Sequence, residues 1–244
     1  MKSSEDQTLR SIHVKQIRHD LAVQFFKAYE HLGNCGLGVW HWGAFLNETL
    51  IGAVSIGTTC FGTGRGLLPS IAMQFDLPIY QICRGGTATG VPFNTPSRVL
   101  SLALSAFHQW RGNCLVVAYA DRAYNEVGTI YQACNGLYTG QTNPKDQANY
   151  MIKGRLMSGW VVRKKFGTRS MHRLRQIDRK ALKLPLSPKY RYVFVQASGR
   201  QRNDVLEALR PYVLPYPNRQ TEKIPSMNIA DLVVKRGIEE RPRT

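Results

Sequence analysis

Four side chains carry acid–base or aromatic chemistry at positions where a site can form: Asp121, Tyr119, Tyr131 and His31. Asp121 falls just past the apolar run 114–119, and in α/β proteins ligands gather outside the C-terminal ends of strands. A carboxylate there can take a proton; the other reading is a turn or helix-capping Asp. Tyr119 and Tyr131 offer rings for stacking and hydroxyls for hydrogen bonding, with the core as the alternative for Tyr131. His31 closes a helical run just before Gly33, so it is either a proton carrier or a solvent-facing histidine at a helix end. Serine and cysteine nucleophile motifs are absent, which argues against a covalent enzyme intermediate. No group of His, Cys, Asp or Glu has metal-ligand spacing, so no metal site is expected.

A second set suits anions. Arg84 and Arg98 can neutralise phosphates, with a plain surface position as the alternative for Arg98. Asn94 and Ser97 flank a helix start, where they either cap the helix or join its N–H groups around an anion. The stretch 60–70 contains Gly62, Gly64 and Gly66 but lacks Walker spacing and a Lys followed by Ser or Thr, so it reads as a surface loop.

The elements that would position these groups follow from periodicity. Leu21, Ala22, Phe25, Phe26 and Tyr29 recur at helical steps and predict a helix over 19–32. The apolar runs 39–46 and 50–57, joined by Asn47, Glu48 and Thr49, predict a hairpin. A strand over 77–83, a loop over 84–90 and a helix running to about Trp110 come next, with Thr95 as N-cap and Pro96 as the first helical residue. Strands over 114–119, 137–142 and 189–197, with short helices over 127–134 and 204–209, complete a layered α/β sheet. The expected organisation is a core over 1–154 and a basic segment over 155–244. The segment includes the late core strand 189–197 and ends in a loose tail from about residue 219, all packed as one domain.

Charge points to the partner. Lys and Arg number 33 against 16 Asp and Glu, a net +17 that exceeds what solubility requires and predicts a polyanionic ligand. DNA or RNA is favoured over a membrane surface, because no stretch joins a basic face to a continuous apolar one. The densest basic run includes Arg163, Lys164, Lys165, Arg169, Arg173 and Arg175. Trp160, Phe166 and His172 are interleaved with it, which suits phosphate contact plus base stacking; a solvated helical face is the alternative. No apolar run is long enough to cross a bilayer or act as a signal peptide, so a cytoplasmic location is expected. The five cysteines are scattered and never in CxxC spacing, which predicts reduced, mostly buried thiols. The oligomeric state is left open, a homodimer included.

Several segments, in order, resemble the Mom family of phage DNA-modification proteins. They are Glu30-His31-Leu32-Gly33, Asn94-Thr95-Pro96-Ser97-Arg98, Tyr119-Ala120-Asp121, Gly128-Thr129-Ile130-Tyr131-Gln132-Ala133, Tyr138-Thr139-Gly140 and Lys189-Tyr190-Arg191-Tyr192-Val193. Between Asp121 and Gly128 the chain lacks the Gly-His that family members often carry. The resemblance implies a GNAT acyltransferase-like fold, a mostly antiparallel sheet flanked by helices with a basic C-terminal extension. It also implies transfer of a carbamoylmethyl-type group to N6 of adenine in DNA, which shields phage DNA from restriction. A GNAT-like acyltransferase acting on tRNA and a non-catalytic nucleic-acid-binding protein are the competing functions. In a GNAT core the donor lies where two central strands splay, above the helix starting at Thr95. The acyl-CoA loop pattern would require Gly at position 87 or 84, where Thr87 and Arg84 stand. The donor therefore stays open between acetyl-CoA and another acyl donor such as an aminoacyl-tRNA.

Overall fold

A computed structural model describes residues 8–59, 66–143 and 148–218. Along the chain run β1 (His13–Ile17), α1 (His19–Tyr29), β2 (Trp40–Leu46), β3 (Thr49–Thr58), α2 (Leu67–Gln74), β4 (Ile79–Thr87), α3 (Thr95–Arg111) and β5 (Cys114–Asp121). They are followed by α4 (Thr129–Ala133), β6 (Leu137–Gln141), β7 (Ala148–Ile152), β8 (Arg155–Ser158), α5 (Gly159–Phe166), α6 (Met171–Ile177), β9 (Leu182–Pro185), β10 (Lys189–Gln196) and α7 (Gly199–Leu209). A seven-stranded sheet has the order β1-β2-β3-β4-β5-β10-β6. Strands β1 to β4 pair antiparallel, whereas β4 and β5 are parallel and joined through the crossover helix α3. The chain is thus mixed α/β, as its alternating periodicities predict.

Local chemistry explains most of the elements. In β3 seven consecutive residues from Ile51 to Gly57 are buried, the mark of a strand covered on both faces. Helix α3 buries Val99, Leu100, Ala103, Leu104 and Phe107, a helical stripe laid against the sheet. Its end is packed by Trp40, Tyr80 and Trp110, whose ring centroids lie 5.0 to 6.0 Å from that of Phe107. Helix α1 buries Ala22, Phe25 and Phe26, while Leu21 and Tyr29 remain exposed. It stops three residues before the expected Leu32, because Glu30 turns to extended backbone.

Four expectations are corrected. The β2–β3 connection is a two-residue turn, Asn47-Glu48, both with positive φ, which pairs Leu46 with Thr49. Residues 67–70, expected as loop, open helix α2, in which Leu68, Pro69, Ile71 and Ala72 are buried; Cys60 to Arg65 lie outside the described residues. Arg84 to Thr87 belong to β4, since pairing with Gly52 to Ser55 of β3 outweighs the turn preference of Gly85 and Gly86. The N-cap position of helix α3 is Asn94, and Thr95 is the first helical residue.

The described residues fall in two compact units. One lies within Met1–Tyr119, Gly128–Gly140 and Arg191–Tyr216, the other within Ala120–Val127, Gln141–Tyr190 and Pro217–Thr244. In the second, an antiparallel sheet of order β8-β7-β9 carries α5 and α6 around Ala148, Tyr150, Ile152, Val162, Leu174 and Ala181. The expected boundary at 154/155 falls in the two-residue turn Lys153-Gly154 that joins β7 to β8. The expected tail from residue 219 lies outside the described residues. Among the described residues no helix is long and apolar enough to cross a membrane. Cys35, Cys83, Cys114 and Cys134 are free thiols, the first three buried.

Candidate active site

In the first unit, β4 and β5 pair only from Ile79 to Gln81 with Leu115 to Val117. Beyond Gln81, β4 borders a pocket of about 150 Å³ lined by Ile82, Gly85, Gly86 and Thr87, by Pro96, Val99 and Leu100 of α3, and by Tyr131 of α4. Its lining is mostly apolar and its size suits a small acyl group. An added Cβ at Gly85 would meet nothing within 4 Å, so this stretch of backbone is open to close approach by a ligand.

Three of the expected anion-binding residues meet beside this pocket. Asn94, Ser97 and Arg98 line an open cleft of about 570 Å³ together with Leu9, Arg10 and Cys134. Ser97 Oγ donates to the Asn94 carbonyl at 3.0 Å, and Arg98 Nε donates to the Leu9 carbonyl at 3.3 Å. Pro96 lacks an N–H and that of Thr95 is given to Pro92, so this helix start offers fewer backbone donors than most. Arg10 escaped the sequence reading because it stands in a polar N-terminal stretch without a motif.

Arg84 stands apart from that cleft, with His31. Its Nη1 donates to the Cys83 carbonyl at 2.6 Å and its Nη2 to Asn34 Oδ1 at 3.2 Å, while Nε lies 3.9 Å from Glu30 Oε2. The Glu30 side chain is only 9% exposed. Its Oε2 accepts the N–H groups of Leu32 and Gly33 at 2.8 and 3.1 Å, and its Oε1 lies 3.1 Å from Nδ1 of the exposed His31. Glu30 also backs onto the pocket wall: an added Cβ at Gly86 would stand 3.8 Å from Glu30 Cβ. A carboxylate that engages Nδ1 favours the tautomer protonated there and leaves the basic lone pair on Nε2. The sequence held this pair in the Glu30-His31 motif, but only the fold reveals that Glu30 is the less exposed partner.

The tyrosines divide between two groups of the first unit. Tyr119 is half-buried on β5, and burial pushes its hydroxyl up, partly offset by the Arg191 guanidinium. Arg191 donates to Thr139 Oγ1 at 2.9 Å and to the Thr139 carbonyl at 2.7 Å. Tyr131 is half-buried and packs tilted against Tyr192 with ring centroids 5.4 Å apart, and the Tyr192 hydroxyl accepts from Gln132 Nε2 at 3.0 Å. Burial raises the Tyr192 phenol to about 12. Tyr131 therefore has one edge in the aromatic cluster and another in the pocket.

Asp121 and the basic residues lie in the second unit. Asp121 ends β5, and its carboxylate is 2.9 Å from Lys189 Nζ, while its backbone N–H donates to Glu126 Oε2 at 3.2 Å. Arg163, Lys164, Lys165, Arg169, Arg173 and Arg175 are all exposed, because α5 and α6 bury only Val162 and Leu174 between them. Trp160 is 70% exposed, with Lys164 Nζ 5.2 Å from its ring. An indole this exposed beside a row of cations can stack on a base.

The antiparallel run β1 to β4, the parallel β4–β5 pair and the crossover α3 make a mixed α/β fold whose mostly antiparallel sheet is flanked by helices. The chain belongs to the Mom protein family, whose model matches residues 11–218. No curated protein matches it. Solved structures with a related layout include an agmatine N-acetyltransferase at 12% identity, covering 76% of this chain and 99% of that one with a TM-score of 0.42. The aminoglycoside acetyltransferase AAC(6')-Ib in complex with ribostamycin and coenzyme A matches at 11% identity over 80% and 96%, with a TM-score of 0.43. A polyamine N-acetyltransferase of Drosophila melanogaster matches at 11% over 75% and 99%, with a TM-score of 0.41.

Proposed function

We propose that this chain transfers a small acyl-derived group of the carbamoylmethyl type to the N6 amine of adenine in DNA, protecting phage DNA from restriction in the host cytoplasm. The family match over residues 11–218 carries this reading. The apolar pocket, the basic cleft beside it and the cationic second unit support it. Adenine N6 is a weak nucleophile, because its lone pair is delocalised into the ring, so the enzyme must orient it and accept a proton as the new bond forms. We assign the proton to His31 Nε2, with Glu30 as the positioning residue. Tyr131 presents the ring on which a flipped adenine stacks, since a duplex must extrude the base to reach any pocket. Tyr119 and Arg191 hold hydrogen-bond donors for the developing charge. Asp121 holds Lys189 in place, and the row from Arg163 to Arg175 grips phosphates.

The donor fits the pocket as a small acyl group carried either on coenzyme A or on tRNA. Direct acyl transfer makes a bond from N6 to a carbonyl carbon, whereas a carbamoylmethyl product has N6 bonded to a methylene. Glycyl and carbamoylmethyl groups are isomers, so a glycyl donor supplies the correct atoms and a rearrangement after transfer supplies the correct connectivity. Incubating the purified chain with acetyl-CoA or glycyl-tRNA, and with either duplex DNA or uncharged tRNA as acceptor, tests this assignment. Label entering DNA from glycyl-tRNA supports it, whereas label from acetyl-CoA would indicate plain acetylation, because an acetyl group lacks the nitrogen of the carbamoylmethyl product. Label entering tRNA alone would replace it with a tRNA acyltransferase, and binding without transfer would leave a nucleic-acid-binding protein.

A further inference from the structure

Away from the pocket and the basic segment, three side chains distant in sequence converge in the first unit. His19 opens α1, Cys35 lies in the loop after it and His41 sits on β2; one ligand atom from each lies within 4.8 Å of the other two. His19 Nδ1 is 3.0 Å from His41 Nε2. His41 and Cys35 are each 3% exposed, while His19 faces solvent. Beneath them the fully buried Ser55 of β3 places Oγ 2.6 Å from His41 Nδ1 and also hydrogen bonds with the Cys35 thiol. Glycine makes this closeness possible: Gly38 N–H donates to the Cys35 carbonyl at 3.0 Å, and an added Cβ at Gly38 would fall 2.6 Å from Ser55 Cβ.

We propose that His19, Cys35 and His41 form a binding site for a zinc-class divalent cation. Two imidazole nitrogens facing each other at 3.0 Å must share either a proton or a cation. The buried thiol beside them turns a pair into a three-ligand set. Two imidazoles and a thiolate select zinc or cobalt over calcium or magnesium. Ligand bond lengths for tetrahedral zinc imply about 3.3 Å between nitrogens and about 3.6 Å from sulfur to nitrogen, so the nitrogens need part by only about 0.3 Å and the sulfur, within 4.8 Å of both, need close by little more than about an ångström. Ser55 occupies the supporting position, engaging the ring nitrogen of His41 that does not face the cation and so fixing the tautomer. Three protein ligands leave a fourth position for water, and the exposed ring of His19 keeps the entrance open. Binding converts the Cys35 thiol to thiolate and releases its proton to solvent.

The test uses tag-free full-length protein, stripped with chelator and titrated with cobalt(II). One equivalent should give tetrahedral ligand-field bands with a thiolate-to-cobalt charge-transfer absorption, and zinc should displace the colour. His19→Ala, at an exposed position, should keep its circular dichroism and lose the saturable spectrum. Cys35→Ser should lose the charge-transfer band, and Ser55→Ala should weaken the metal by about 10- to 100-fold. Wild-type protein that gives no thiolate band up to millimolar cobalt would overturn the site and leave a hydrogen-bonded His19–His41–Ser55 chain. Spectra and affinity unchanged in His19→Ala would overturn it equally, even where the Cys35 variant fails to fold.

Discussion

Glu30 Oε1 stands 3.1 Å from His31 Nδ1. This relationship makes a helix-end histidine a candidate base, because Glu30 is half-buried and its carboxylate is held by two backbone N–H groups while the imidazole is exposed. His31→Ala should leave the melting temperature unchanged and lower the single-turnover rate on DNA by about 100- to 10,000-fold, the usual range for a lost general base. Asp121→Ala should lower the rate less, by weakening the hold on Lys189. The reverse ranking would move the base to Asp121.

Gly128 precedes α4 with φ +77°, and an added Cβ would fall 2.4 Å from Tyr192 Cε2. Gly112 has φ +81° with nothing within 4 Å. Gly112→Ala should therefore cost about 1–2 kcal/mol, the left-handed penalty alone, and Gly128→Ala about 1–3 kcal/mol more for overpacking. Urea denaturation of both variants checks the difference; equal losses would contradict it.

Alkaline stability follows from buried groups. Burial holds the Cys114 thiol at about 12 against an ordinary 9.0, and the Tyr192 phenol at about 12 against 10.0. Unfolded chains lose these protons first, so above pH 9 the native state binds more protons and stability falls as pH rises toward 12. Equilibrium unfolding between pH 8 and about 11 should show this decline, and Tyr192→Phe should flatten the part above the ordinary phenol value near 10.

The second unit offers a salt test. Arg163, Lys164 and Lys165 are exposed, so a triple alanine variant should fold normally. On duplex DNA it should lower the slope of log affinity against log salt by about 0.9 for each phosphate that is no longer neutralised. Trp160→Ala should weaken binding by about 1–3 kcal/mol without changing that slope. Fluorescence anisotropy at several salt concentrations separates the two effects.

These residues also mark how far the sequence could be read. The start of α3 was legible to within one residue because Asn94, Thr95 and Pro96 are local signals. The last four residues of β4 were not, because two adjacent glycines suggest a turn and only the β3 partner strand makes them extended. The small sheet β8-β7-β9 escaped notice because its strands are four or five residues long and lie near a charge run that dominates the composition. The convergence of His19, Cys35 and His41 has no linear signature; tertiary folding creates it.

Mass spectrometry of nucleosides digested from the DNA and tRNA of cells expressing this chain, beside cells expressing His31→Ala, tests the central claim most directly. A mass-shifted deoxyadenosine present with the wild-type chain and absent with the variant is the predicted result. Unmodified deoxyadenosine alongside altered tRNA nucleosides would contradict it.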